Sequence, residues 1–237
     1  MQDRYAGDVG DFGKFGLLKS ITSANLKLGI NWYLTDNENH NEDGKHKTNA
    51  TKSYCNCDIA LASQLEKIAN DERSVANLEK LNILPNTIYY NRRLKLPSQY
   101  SNNRSDWHKN ALDCLKNCDI VFLDPDNGLK VKSVGYGSKK SVKYVFDSEI
   151  KDYYSSGQSV IFYNHRKRVK EDIYLIEFSE YFKHTDFHNL SWYALTFRKG
   201  TLRDYFILAQ PKHKNQIESA INMLINSEWN NLFYRLK

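Results

Sequence analysis

Asp119-Ile-Val-Phe-Leu-Asp-Pro-Asp-Asn-Gly-Leu129 decides how this chain is read. An unbroken apolar run leads into Asp124, the pattern of a strand covered on both faces. Pro125 and Gly128 then end the strand and turn the chain. In an open α/β sheet, ligands bind just outside the carboxyl ends of the strands, so Asp124, Asp126 and Asn127 stand where chemistry is expected.

Outward from this strand the chain alternates. On its amino side, Phe12, Phe15, Leu17, Leu18 and Ile21 recur at helical spacing after a glycine-rich start, and Asp8 or Asp11 is placed to cap that helix. Glycines 7, 10, 13 and 16 permit close backbone approach, either by a ligand or by a neighbouring strand. The helix entrance, with Lys14 near it, suits an anion. A strand over residues 30–35 opens into the polar loop 36–46, which holds Asp36, Glu38, His40, Glu42, Asp43 and His46. Helices are expected at 57–69, 75–81 and 104–117, with a short strand at 87–90.

On the carboxyl side, residues 130–143 form a basic, glycine-containing loop with Tyr136 inside it, and a helix follows at 145–154. The strand at 159–163 empties into Asn164-His-Arg-Lys-Arg168, placing His165 at a strand's carboxyl end among cations. A helix at 169–182 leads to strands at 191–197 and 205–209 around Arg198-Lys-Gly-Thr, a hairpin signature, and the last amphipathic helix spans 214–225. The expected fold is a single α/β domain over residues 1–237. It is a Rossmann-like, mostly parallel sheet that ends in an antiparallel hairpin, with helices on both faces.

Composition narrows the function classes. Apolar residues make up 41% of the chain, enough for a sizeable core, and no linker, repeat or low-complexity tract interrupts it. The net charge of +6 suits a polyanionic partner. Cys55, Cys57, Cys114 and Cys118 lack C-x-x-C spacing, which points to reduced thiols rather than zinc. The polar start and the lack of a long apolar run argue against secretion and membrane insertion, so a cytoplasmic protein is expected.

In order and spacing the chain resembles the RlmJ-type methyltransferases, which act on the exocyclic amine of an adenine in ribosomal RNA. The matching stretches are Ala6-Gly-Asp-Val-Gly-Asp-Phe-Gly-Lys14, the strand before Asp36, and Asp124-Pro125 in the place of a D-P-P-[FY] motif. The resemblance implies a class I methyltransferase-like fold. It further implies S-adenosylmethionine held by Gly7, Asp11, Lys14 and Asp36, and an acceptor amine oriented by Asp124. Two departures accompany it: no glycine turn follows Asp36, and Asp126 and Asn127 replace the second proline and the aromatic. The D-V-G-D-F-G-K, D-P-D-N-G and N-H-R stretches are also similar to a bacterial family to which no activity is attached.

Three functions follow as expectations. The first is methyl transfer from S-adenosylmethionine to a nucleic-acid base amine, with Asp124, Asp126, Asn127 and His165 as the catalytic group. The second is a magnesium- or manganese-dependent nuclease or phosphodiesterase, with Asp36, Asp43, His46, Asp124 and Asp126 as ligands, whose crowded carboxylates would repel one another and welcome a cation. The third is a nucleic-acid-binding module without turnover. In each, Arg92, Arg93, Lys139, Lys140, Arg166 and Arg168 are the expected contacts to nucleic acid.

Overall fold

The computed structural model describes residues 1–38, 44, 46–95, 103–184 and 190–237. Its nine strands are β1 (Leu28–Asn31), β2 (Ile88–Tyr90), β3 (Ile120–Leu123), β4 (Gly128–Leu129), β5 (Tyr144–Val145), β6 (Ser159–His165), β7 (Ser191–Phe197), β8 (Arg203–Ala209) and β9 (Phe233–Arg235). Seven form one sheet in the order β2-β1-β3-β6-β8-β7-β9, and β4 pairs with β5 beside it. β2, β1, β3 and β6 run parallel, and β8, β7 and β9 continue the sheet in antiparallel pairs. The expected α/β architecture with Asp124 at the carboxyl end of a central strand therefore holds, since β3 lies between β1 and β6.

Among the described residues seven α-helices cover the two faces: α1 (Val9–Ser23), α2 (Ile59–Asn70), α3 (Val75–Lys80), α4 (Asn103–Leu115), α5 (Asp147–Ser155), α6 (Glu171–His184) and α7 (Lys214–Ile225). Alternation along each strand divides the apolar residues. Ile120, Phe122 and Ile161 pack toward α1, α2, α3 and α7, whereas Val121, Leu123, Val160 and Phe162 pack toward α4, α5 and α6. Among the described residues no helix is long and apolar enough to cross a membrane.

Several boundaries differ from the sequence reading. β1 stops at Asn31 rather than Thr35, because Tyr33 takes a left-handed φ of 47° and its N–H turns to the Asn31 side chain. β6 runs two residues further, to His165, because β8 starts earlier and keeps pairing with it through Arg203. β9 and the β4–β5 pair are too short to leave a periodicity signal.

The glycines of the first helix and of the turn before it answer a packing need. A Cβ on Gly7 would stand 2.6 Å from the Leu65 carbonyl oxygen, one on Gly13 2.6 Å from the Phe197 ring, and one on Gly16 2.4 Å from Trp229. These positions let α1 and its entry turn lie directly on α2, β7 and the Trp229 turn, so most of the stripe serves packing against neighbouring elements of the fold. Gly13→Ala should lower stability by about 1–3 kcal/mol in urea unfolding, although alanine favours helix by about 1 kcal/mol, because overpacking outweighs propensity. A more stable variant would show that α1 does not sit this close.

Candidate functional site

A cavity of about 470 Å³ opens at the carboxyl ends of β3 and β6, beneath the amino end of α1. Asp124, Pro125, Asp126 and Asn127 enter it from β3, and Tyr163 and His165 from β6. Asp8, Gly10, Asp11 and Lys14 come from α1 and its cap, Thr201, Arg203 and Tyr205 from the β7–β8 hairpin, and Tyr5, His46 and Lys143 from the rim.

At its base lies a buried ion triad. The Lys14 ammonium is 2.7 Å from Asp11 Oδ1 and 2.7 Å from Asp124 Oδ2. Burial alone would lower the pKa of Lys14, but the two carboxylates outweigh it and hold the amine protonated well above the usual lysine range. Burial pushes the Asp124 carboxyl up, opposed by Lys14 and by the Met1 ammonium. Asp124 Oδ2 anchors the triad, and Oδ1 has no hydrogen-bond partner among the described residues.

Asp126 is neutralised separately. The Met1 ammonium lies 2.6 Å from its Oδ1, and Gln2 Nε2 donates to its Oδ2 at 2.7 Å. Burial would raise this carboxyl, yet the ammonium and Gln2 bring it below the usual range. The same ammonium donates to the carbonyls of Tyr33 and Asp124, and Gln2 bridges to Thr35 in parallel register, so Met1 and Gln2 fill the crevice between the ends of β1 and β3.

The D-P-D-N-G turn and the N-H-R stretch form a latch. Gly128 has a φ of 107°, and a Cβ there would fall 2.2 Å from Asn164 Oδ1. Asn164 Oδ1 instead accepts from the Leu129 N–H at 2.9 Å, while its Nδ2 donates to the Tyr174 hydroxyl at 2.7 Å. The Asn127 carbonyl accepts from the His165 N–H. His165 is exposed, with its Nδ1 3.3 Å from the Tyr163 hydroxyl, and faces Arg203 across the β6–β8 ladder.

Asp8 caps α1 by accepting from the Asp11 N–H at 2.8 Å. Burial and the negative charge of Asp11 push its carboxyl up to about 6, against the pull of Arg203. Arg203 packs on Gly10, where a Cβ would be 2.6 Å from its Nε, and donates to the Lys199 and Thr201 carbonyls. The Tyr205 hydroxyl is buried and has no hydrogen-bond partner among the described residues.

The remaining expected residues lie elsewhere. The Asp36 side chain is 87% exposed and faces Arg93 at 3.5 Å, outside the pocket, because the strand that should deliver it ends five residues earlier. Gly7 packs on α2, and its N–H donates to Asp11. Asp43 falls outside the described residues. Of the other expected metal ligands, His46 lines the pocket while Asp124 and Asp126 are paired with cations. Among the described residues no group of three or more His, Cys, Asp or Glu side chains is arranged to hold a metal. As expected, the acids do raise one another: after burial, the charge of Asp11 pushes up both Asp8 and Asp124, against the pull of Lys14, Arg203 and the Met1 ammonium. Lys14, Arg203 and the Met1 ammonium stand against Asp8, Asp11, Asp124 and Asp126, while Lys143 in the same lining pairs with Glu38.

Arg166 is not available to a phosphate either. Its side chain is 8% exposed and binds both oxygens of fully buried Asp204, together with Glu171 and Thr196, joining β6 to β7 and β8. Arg93 is tied to Asp3 and to the Thr35 carbonyl. Arg92, Lys139, Lys140 and Arg168 are exposed. The sequence reading passed over Asp8 as a pocket group, Tyr163, Arg203 and Tyr205. Tyr163, next to the N-H-R stretch, carried a signal, whereas the Arg203–His165 pairing carried none.

No protein-family model matches the chain, and a search of curated proteins finds no significant match.

Two stability measurements check this geometry. Lys14→Met should lose about 3–5 kcal/mol, because it leaves Asp11 and Asp124 buried and unpaired. Asp124→Asn should lose only about 1–2 kcal/mol, since an amide still accepts from the ammonium. A loss below about 1 kcal/mol for Lys14→Met would show that the triad is solvated.

Asp8 gives a pH signature. Its folded pKa near 6 exceeds its ordinary value of 3.8, so the folded state holds more protons between these values. Stability from this group is therefore full below about pH 4 and is lost as pH rises through 6. Asp8→Asn keeps an equally good cap and removes the titration. The melting-temperature difference, variant minus wild type, should grow from pH 4.5 to pH 7.5. A constant difference would place Asp8 at an ordinary pKa.

Proposed function

We propose that the protein is a nucleic-acid-directed enzyme on a methyltransferase-like scaffold, and that its pocket receives a nucleobase whose exocyclic amine donates to Asp124. The carrying observation is the Asp124 carboxylate, fixed through one oxygen by Lys14 at the end of the central strand and open at the other. A charged buried acceptor discriminates an amine from an oxygen strongly, because the wrong group leaves it unsatisfied.

The balance of charges around it supports the same reading. Four acids against three cationic side chains and one ammonium make a site suited to neither a bare divalent cation nor a free polyanion, and a neutral, polar base edge fits it. Tyr163, beside Asp124, supplies the aromatic wall that the missing D-P-P-[FY] tyrosine would have given. Asp8, with its carboxyl near 6, and His165 line the same pocket and are the groups able to accept the proton that the amine nitrogen releases once it has bonded to an electrophile. A parallel sheet closed by an antiparallel hairpin is the scaffold implied by the resemblance.

S-adenosylmethionine does not fit the residues that the resemblance assigns to it. Gly7 is packed on α2, Asp36 stands in solvent, Asp11 and Lys14 are held by the triad, and Met1 and Gln2 fill the crevice beside β1. We derive no step through that cofactor. What the chain's own groups do is bind the base, orient its amine and accept a proton. Magnesium or manganese finds no sufficient donor set among the described residues for the nuclease reading.

Titration calorimetry with nucleosides separates these readings. Adenosine and cytidine should bind at least about tenfold tighter than inosine and uridine, which carry a carbonyl oxygen in place of the amine. Binding that ignores this exchange would overturn the base reading. S-adenosylmethionine binding tighter than adenosine would restore the cofactor.

A further inference from the structure

His165 and Arg203 are cross-strand partners at the end of the β6–β8 ladder. The loop leaving β6 and the turn entering β8 therefore emerge side by side at the mouth of the pocket. Their sequences are His165-Arg-Lys-Arg-Val-Lys170 and Arg198-Lys-Gly-Thr-Leu-Arg203, and neither contains an acid. Arg166 and Arg203 turn inward to structural partners, while Arg168, Lys170, Arg198 and Lys199 are exposed. Each segment also exposes one apolar side chain, Val169 and Leu202, at 40% each.

We propose that these two segments form a twin basic rim that grips a single-stranded nucleic-acid backbone across the pocket mouth, so that one nucleotide can turn its base down to Asp124. The inference rests on the base-pocket reading and adds the surface and the strandedness of the substrate. A pocket at the carboxyl ends of buried strands is too deep for a base still stacked in a duplex, so a single strand or an extruded base is required. Cations supply affinity for the phosphates without reading sequence, and Val169 and Leu202 offer apolar contact to neighbouring unstacked bases. The rim displaces Arg93, Lys139 and Lys140 as the main contacts. Arg93 is committed to Asp3 and the Thr35 carbonyl after β2, and Lys139 and Lys140 sit on a 3-10 helix leading to β5.

The test is fluorescence anisotropy of a labelled single-stranded oligonucleotide with the full chain, over a series of salt concentrations. Two triple variants remove the same charge: Arg168→Ala/Lys170→Ala/Lys199→Ala from the rim, and Arg92→Ala/Lys139→Ala/Lys140→Ala elsewhere. The rim variant should bind at least about tenfold more weakly, and its slope of log affinity against log salt should be shallower by about 2, as three lost phosphate contacts on a single strand require. The control should change affinity less than about threefold. Equal weakening of both variants would reduce the effect to net charge and overturn the rim. So would duplex binding as tight as single-strand binding, or capture of the wild type by anionic lipid vesicles but not by the oligonucleotide. Adenosine binding is read in parallel. If the rim variant retains it, the two sites are separate as proposed. If wild type binds the oligonucleotide through the rim but binds no nucleoside, the base pocket fails while the rim stands.

Discussion

The contact on which the rest depends is the Lys14 ammonium held between Asp11 and Asp124. It joins the first helix to the end of the central strand across the layer that separates them. Three buried ions persist only if each is paired, since removing one partner strands the others in a poorly polarisable interior. To place Lys14 at that point, α1 must lie against the sheet and the C-terminal turn more closely than ordinary side chains allow. Gly13 and Gly16 allow it by admitting Phe197 and Trp229 where a Cβ would stand. Gly10 extends the same stripe to the pocket, where it admits Arg203. Packing of the helix and arrangement of the site are thus one constraint.

The triad also sets the character of the pocket. The acids at the strand ends suggested a site in need of cations, yet each carboxylate lining the pocket faces a positive group. What remains after this compensation is directional: one free oxygen on Asp124, a carboxyl near neutrality on Asp8, an exposed imidazole on His165 and the wall formed by Tyr163. Such a site reads hydrogen-bond pattern more than charge. The positive charge of the protein is instead displayed outside, on the two segments at the mouth.

Much of the fold was legible in the sequence because it is written locally. Apolar runs marked β3 and β6, period-3.6 patterns marked α1 and α7, and Arg198-Lys-Gly-Thr marked the hairpin. Residues 214–225 and 191–197 were bounded as observed. The strand ends were less legible. Trp32, Tyr33 and Leu34 are as apolar as a strand, but a left-handed Tyr33 takes the chain out of the ladder and leaves Asp36 in solvent. The site was legible only as a place. Asp124 and His165 were found because strand ends are local features, whereas their partners lie far along the chain: Lys14 is 110 residues from Asp124, and Asp204 is 38 from Arg166. Whether an acid meets a cation or another acid is decided by those distant contacts. That is why residue types alone left Asp11, Lys14, Asp124 and Asp126 as free charges, although each of the four is paired.

The central claim is that Asp124 is held by Lys14 so as to offer one oxygen to a base amine. A crystal structure of the protein soaked with adenosine tests it most directly. The account requires the adenine amine within about 3.2 Å of Asp124 Oδ1, with the Lys14 contacts to Asp11 and Asp124 intact. Adenosine bound away from Asp124, or bound only after Lys14 has swung out of the triad, would contradict it.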